Sequence, residues 1–202
     1  MSVSDDERSK LYEEQTGKQF EALGRFVQAF ELMVHSIRLS LQMRLQQESN
    51  SMFHFTQLIF HHRALTALPL WDLFRSVIYV DVSEVRPNDP SDVQKFEDVL
   101  TKLNTQVVKL IETRNNILHG TSLIGAASEG QQDFSQLVIL KGGVSAKGYK
   151  QAKTPESEVE LLALVEQCES LTRTVNAIAL AARLQGHHRS QWLARAAQEL
   201  PY

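Results

Sequence analysis

SDVQKFEDVLTKLNTQVVKLIETRNNILHG, residues 91–120, decides the fold. Phe96, Val99, Leu103, Val107, Leu110, Arg114 and Ile117 follow one another in steps of three and four, which is one face of an α-helix. Ser91-x-x-Gln94 supplies a capping box at its start. Gly120, just past the last periodic residue, is a helix stop. The helix therefore reads as about Ser91 to Leu118. One position breaks its line: Arg114 falls on the face meant for the core, with Asn115 and His119 beside it at i, i+4. A guanidinium buried without a partner costs several kcal/mol. Either Arg114 is paired there, or that end of the face opens onto a cleft or another subunit. A plainer account is also open, in which Arg114 and His119 reach solvent at the helix end and complement the negative pole of its dipole.

Before this helix, Phe20, Leu23, Val27, Phe30, Val34, Ile37 and Leu41 keep the same three-four alternation, predicting a first helix from about Asp6 or Ser9 to Gln47. Glu31, His35 and Arg38 form a polar row beside that stripe. They are either a ladder of local ion pairs, each worth a few tenths of a kcal/mol, or a second layer lining the cleft of Arg114. Glu48 to Ser51 is a short turn, so a second helix, about Phe53 to Tyr79, returns antiparallel. Pro69 predicts a kink or break near Thr66 to Leu68. Arg86 to Pro90 is a loop.

After Gly120 the pattern changes. Phe134 to Leu140, a Lys141-Gly142-Gly143 turn and Val144 to Tyr149 read as a β-hairpin. Thr154-Pro155-Glu156 starts a last long helix, which runs to about Leu184 and is ended by Gly186. A short helix over about 190–200 is anchored by Trp192 and Leu193. The expected architecture is all-α: a four-helix up-down bundle with a small β-hairpin insertion (about 134–150) before the last long helix. It is read as a single domain spanning 1–202, its core about 18–185.

A chain of 202 residues with 43% hydrophobic and 22% charged residues is ordinary for a soluble domain able to bury a core. The polar, acidic start carries no secretion signal, and no apolar run approaches the roughly 18–20 residues of a membrane span. The single Cys168 lies on an apolar helix face and forms no internal disulfide. These features fit a cytoplasmic protein without membrane contact. A net charge of −3 argues against tight nonspecific duplex binding. Locally, residues 134–155 hold no acid but include Lys141, Lys147, Lys150 and Lys153. Those lysines either solubilise the hairpin and protect its edge or draw in a phosphate backbone. His61 and His62 have no nearby carboxylate and the chain has no Glu-x-x-His, which disfavours a carboxylate di-iron site. Walker A, G-x-G-x-x-G, H-E-x-x-H and G-x-S-x-G patterns are absent. No cofactor and no metal are expected.

Arg114-Asn115, three residues, then His119-Gly120, at the end of a long helix late in a helical chain, resembles the R-x(4–6)-H motif of the HEPN family. The resemblance covers roughly residues 18–185, but only Arg114, Asn115 and His119 match a definable motif. It implies a helical bundle and, for many members, a metal-independent ribonuclease acting as a symmetric dimer whose two motifs meet on the two-fold axis. The chemistry is compatible with these side chains. Histidine is suited to moving the 2′-hydroxyl and leaving-group protons near neutrality, and arginine to the charged phosphorane. Positions 114 and 119 point roughly 140° apart on a helix, so one copy cannot converge them; Arg114 of one chain and His119 of another can. Asn115 would orient the imidazole or bind a phosphate oxygen, and Lys141, Lys147, Lys150 and Asn116 would hold RNA. A homodimer through the end of this helix, an RNA substrate and an antitoxin or regulatory protein are the expected partners, in a toxin or defence role. The alternative is a catalytically inactive module of the same shape that binds RNA, nucleotide or protein.

Overall fold

The computed structural model describes residues 5–46, 66–85, 90–119, 121–124, 134, 137–140, 144–145, 148–149 and 157–200. Five helices dominate them: α1 Asp5–Gln46, α2 Ala67–Val80, α3 Pro90–His119, α4 Glu158–Arg183 and α5 Gly186–Glu199. The all-α class holds for these residues. A single π-helical turn, Asp81–Val85, continues α2. Two compact units are distinguished. The first comprises Met1–Phe30 with Glu112–Glu166, the second Glu31–Ile111 with Gln167–Tyr202.

The second unit has an aromatic-rich core. Met33 and Ile37 of α1, Trp71 and Phe74 of α2, Phe96 and Leu103 of α3, and Leu171 and Ile178 of α4 are all at most 2% exposed. Several polar groups inside it are paired, which offsets the cost of burying them. Trp71 Nε1 donates to Asn104 Oδ1 at 2.8 Å. Arg44 Nε donates to both Asp81 carboxylate oxygens at 2.8 Å, and Arg44 Nη2 lies 2.7 Å from Oδ1. The turn into α5 is held by Arg189, fully buried, whose Nε donates to the Leu184 carbonyl at 2.9 Å and whose guanidinium lies 5.7 Å from the Phe96 ring centroid. It closes a carbonyl that the end of α4 leaves without a helical partner. Ser170 and Arg173 both donate to Glu199, tying α4 to the end of α5.

The first unit is organised around Phe134. Its backbone N–H donates to Gln15 Oε1 at 2.8 Å and its carbonyl accepts from Gln19 Nε2 at 3.2 Å. Two glutamines one turn apart on α1 thus satisfy both polar groups of one peptide residue, as a strand partner would. The Phe134 ring meets Tyr12 edge-on, centroids 5.3 Å apart, with Arg8 5.8 Å away. At 7% exposure the ring is core. Phe134→Ala should cost about 3–5 kcal/mol, read as a lower urea midpoint with an unchanged slope. A loss below about 1 kcal/mol would mean the ring is not anchoring this unit.

Several local expectations shift. On α1 the buried line in the first unit runs through Gln19, Ala22, Phe26 and Phe30, while Phe20 is 60% exposed and Leu23 and Val27 are only half-buried. Both lines have three-four spacing; the expected one followed the larger side chains, and small Ala22 faces the core instead. Pro69 lies in the first turn of α2, where its missing N–H costs nothing, because Thr66 just before is extended (φ −70, ψ 175). The rest of the expected second helix, 53–65, lies outside the described residues, as do His61 and His62. α3 begins at Pro90, one residue before the expected cap. α4 begins at Glu158 with Ser157 as its cap: Glu160 N donates to Ser157 Oγ at 3.3 Å, and Ser157 Oγ lies 3.5 Å from Glu160 Oε2; the expected start at Thr154-Pro155-Glu156 lies outside the described residues. Gly186 opens α5 rather than ending α4, which stops at Arg183.

The strands also pair differently from the expected hairpin. β1, Thr121–Ile124, pairs antiparallel with β2, Leu137–Leu140, with Thr121 opposite Leu140; β3, Val144–Ser145, pairs with β4, Gly148–Tyr149. Local turn chemistry at Gly142-Gly143 favours closing residues 134–149 on themselves. It takes no account of Leu123-Ile124, an apolar run that competes for the same strand.

Cys168 is fully buried on α4, and burial, the largest cause, with Glu169 nearby pushes its thiol up to about 12. The thiol should therefore resist Ellman's reagent at pH 8 until the protein unfolds. Because the folded value lies above the ordinary 9.0, this group adds nothing to unfolding below pH 9 and favours it increasingly from pH 9 to about 12. Rapid labelling of the native protein at pH 8 would contradict this.

Candidate functional site

α3 carries the motif on an uninterrupted helix, and its apolar line is buried as the spacing predicts. Phe96, Val99, Leu103, Val107, Leu110 and Ile117 are each at most 6% exposed. The last turn, with Arg114, Asn115, Ile117 and His119, belongs to the first unit. Ile117 is driven into the core, and this fixes the rotation of the turn. Arg114, three residues earlier, is half-buried, whereas Asn115 and His119 face solvent.

The cost of an arginine at an apolar-face position is met in part within the chain. The Arg114 guanidinium lies 5.5 Å from the centroid of Phe30, a ring only 1% exposed, and Nη1 donates to Asn115 Oδ1 at 3.3 Å. A cation over an aromatic face contributes about 0.5–2 kcal/mol, and the Arg114 Nε is fully withdrawn from water. These contacts accommodate part of the Arg114 side chain within the chain. The divergence of positions 114 and 119 on one helix remains a reason for expecting a dimer. Asn115 engages Arg114 in this structure; its expected role as a guide for the His119 imidazole has no counterpart among the described hydrogen bonds.

The remaining candidates belong to different parts of the chain. Asn116, two residues after Arg114, is half-buried. Glu31, His35 and Arg38 belong to the second unit, the first two exposed and Arg38 half-buried. Lys141, Lys147, Lys150 and Lys153 lie outside the described residues. Among the described residues no group of three His, Cys, Asp or Glu side chains could hold a metal ion, and no helix is long and apolar enough to cross a membrane. Among the described residues, the cavities lined by Leu39, Phe74 and Leu180 and by Val99, Gln106 and Leu193 lie in the second unit, and neither is lined by Arg114, Asn115 or His119.

Phe30 and Phe134 were not legible as parts of this unit's polar organisation. Phe30 reads as one more apolar position on α1, and nothing in the linear pattern connects it to Arg114. Compared with models of known protein families, with curated proteins and with solved structures, the chain matches none of them.

Proposed function

We propose that this chain is a metal-independent endoribonuclease of HEPN type, active as a two-fold dimer, in which Arg114 of one copy works with His119 of the other. One observation carries the reading. At the end of one unbroken helix, a half-buried arginine is held by Phe30 and Asn115, five residues before an exposed histidine. An anchored guanidinium is preorganised for a developing phosphorane charge. An exposed imidazole is accessible to a substrate hydroxyl. In this reading the histidine of one copy takes the 2′-hydroxyl proton, the oxygen attacks the adjacent phosphorus, and the histidine of the other copy protonates the departing 5′-oxygen. The proposal includes the four-helix up-down bundle, a cytoplasmic setting and restraint by a regulatory or antitoxin protein.

The test is incubation of the purified full chain with total RNA in EDTA, with sedimentation on the same sample. Cleavage leaving 2′,3′-cyclic phosphate or 3′-phosphate ends, by a dimer, is the expected result. An inert protein, or an active one that is monomeric at micromolar concentration, defeats the corresponding half of the proposal. The net charge of −3 favours a second reading, a catalytically inactive module that binds RNA, nucleotide or a protein partner. Such a module would bind in the same samples without cutting RNA.

A further inference from the structure

The second unit contains a groove of about 640 Å³ between α3 and α5. Its lining takes in three turns of each helix, Lys95 to Gln106 on one side and Ser190 to Leu200 on the other. At 1.5 Å per residue each wall is about 15 Å long, the length of an extended alkyl chain of about ten to twelve carbons. Val99, Leu193 and Leu200 are its buried, apolar part. The rest of the α5 wall is Ser190, Ala194 and Ala197, at i, i+4 and i+7 and all exposed. Larger side chains at these three positions would fill the groove. A concavity of this size, mostly apolar with a few polar groups, has the make-up of a ligand site.

The charged groups of the α3 wall differ in what they are committed to. Lys95 Nζ lies 3.3 Å from Asp92 Oδ1. Asp98 Oδ1 accepts from Gln94 Nε2 at 3.0 Å, which draws that carboxylate one turn back along α3. Lys102, one turn ahead of Asp98, is exposed and makes no ion pair or hydrogen bond among the described residues. An ammonium is a compact charge with three rotatable donors, and its apolar stem covers a groove wall while the head stays at the edge. The groove therefore offers an anion one uncommitted cation beside an apolar trough.

We propose that this groove binds a linear aliphatic carboxylate of about ten to twelve carbons, its chain along Val99, Leu193, Ala194 and Ala197 and its carboxylate on Lys102. The site is distinct from the α3 motif and independent of the ribonuclease reading.

The experiment titrates the full chain with decanoate, decan-1-ol and inorganic phosphate, following the methyl resonances of Leu193, Ala194 and Ala197 by NMR. Decanoate should shift them saturably, and decan-1-ol should bind at least tenfold more weakly. Affinity should rise about fourfold per added CH₂ from hexanoate to decanoate. Lys102→Gln should bring decanoate down to the level of decan-1-ol while leaving decan-1-ol unchanged. Ala194→Trp, at an exposed position, should abolish both with the melting temperature nearly preserved; Ala197→Trp serves the same purpose if that variant does not fold. Absence of a saturable decanoate shift overturns the site. Equal affinity for decanoate and decan-1-ol, or Lys102→Gln binding decanoate as the wild type does, overturns the carboxylate assignment. Phosphate binding as well as decanoate overturns the apolar half. Shifts of these methyls that grow with protein concentration alone would place a second copy of the chain in the groove and overturn the ligand.

Discussion

His119→Ala is expected to lower RNA cleavage in EDTA by at least about 10²-fold, the usual loss on removing a general acid or base. The magnitude is interpretable because His119 is exposed at the last position of α3, where substitution leaves the packing intact and forfeits at most the small dipole contribution of a C-terminal cation. Arg114 is a less clean position. Arg114→Lys keeps the charge but loses the planar fork, and also the stacking on Phe30 and the bond to Asn115. A severe loss of activity is expected, and must be accompanied by an unchanged melting curve before it is assigned to chemistry. Mixing Arg114→Ala with His119→Ala should restore part of the activity, since a heterodimer keeps one composite Arg114–His119 pair intact. If His119→Ala cuts RNA as well as the wild type, the catalytic assignment fails whatever Arg114 does.

Asp81→Ala should be the most destabilising single change among the charged residues, costing about 3–5 kcal/mol. The Asp81 and Arg44 side chains are 4% and 16% exposed, so removing Asp81 takes both carboxylate acceptors from a guanidinium that is largely withdrawn from water. The backbone contributes nothing to that loss, because Asp81 caps α2 in the right-handed helical region (φ −59, ψ −39), where alanine is favoured. The double variant Arg44→Met, Asp81→Leu should recover most of the stability or exceed it, since a buried pair seldom outweighs its own desolvation. Urea unfolding of the two single variants and the double measures this. A cost under about 1 kcal/mol for Asp81→Ala would mean that the pair is effectively hydrated.

The extent to which the fold was legible differs from helix to helix, and the differences have causes. On α3 every residue of the expected apolar line except Arg114 is buried, and Leu100 and Ile111 widen the same buried face. α1 carries two lines with helical spacing, because Ala22 and Phe26 offer a second face next to Phe20, Leu23 and Val27. Periodicity cannot choose between them; the surroundings do. For α4, Thr154-Pro155 and Ser157-x-x-Glu160 are both good starts, and local chemistry ranks them without knowing where the helix must begin to pack; Ser157 serves as the cap, and Thr154-Pro155 lies outside the described residues. Strand pairing was least legible, since the partner of residues 137–140 is set by competition among distant runs.

At the site, the sequence by itself determined the α3 helix, its stop after His119, and the angular separation of Arg114 from His119, all consequences of one 3.6-residue period. It also raised the question of how a guanidinium is tolerated on an apolar line. Only the tertiary structure decided the answer. Phe30, on another helix, offers the face of its ring to Arg114, and Asn115 turns to the guanidinium. Contacts between residues far apart in the chain depend on how helices dock, which no local pattern of side chains encodes.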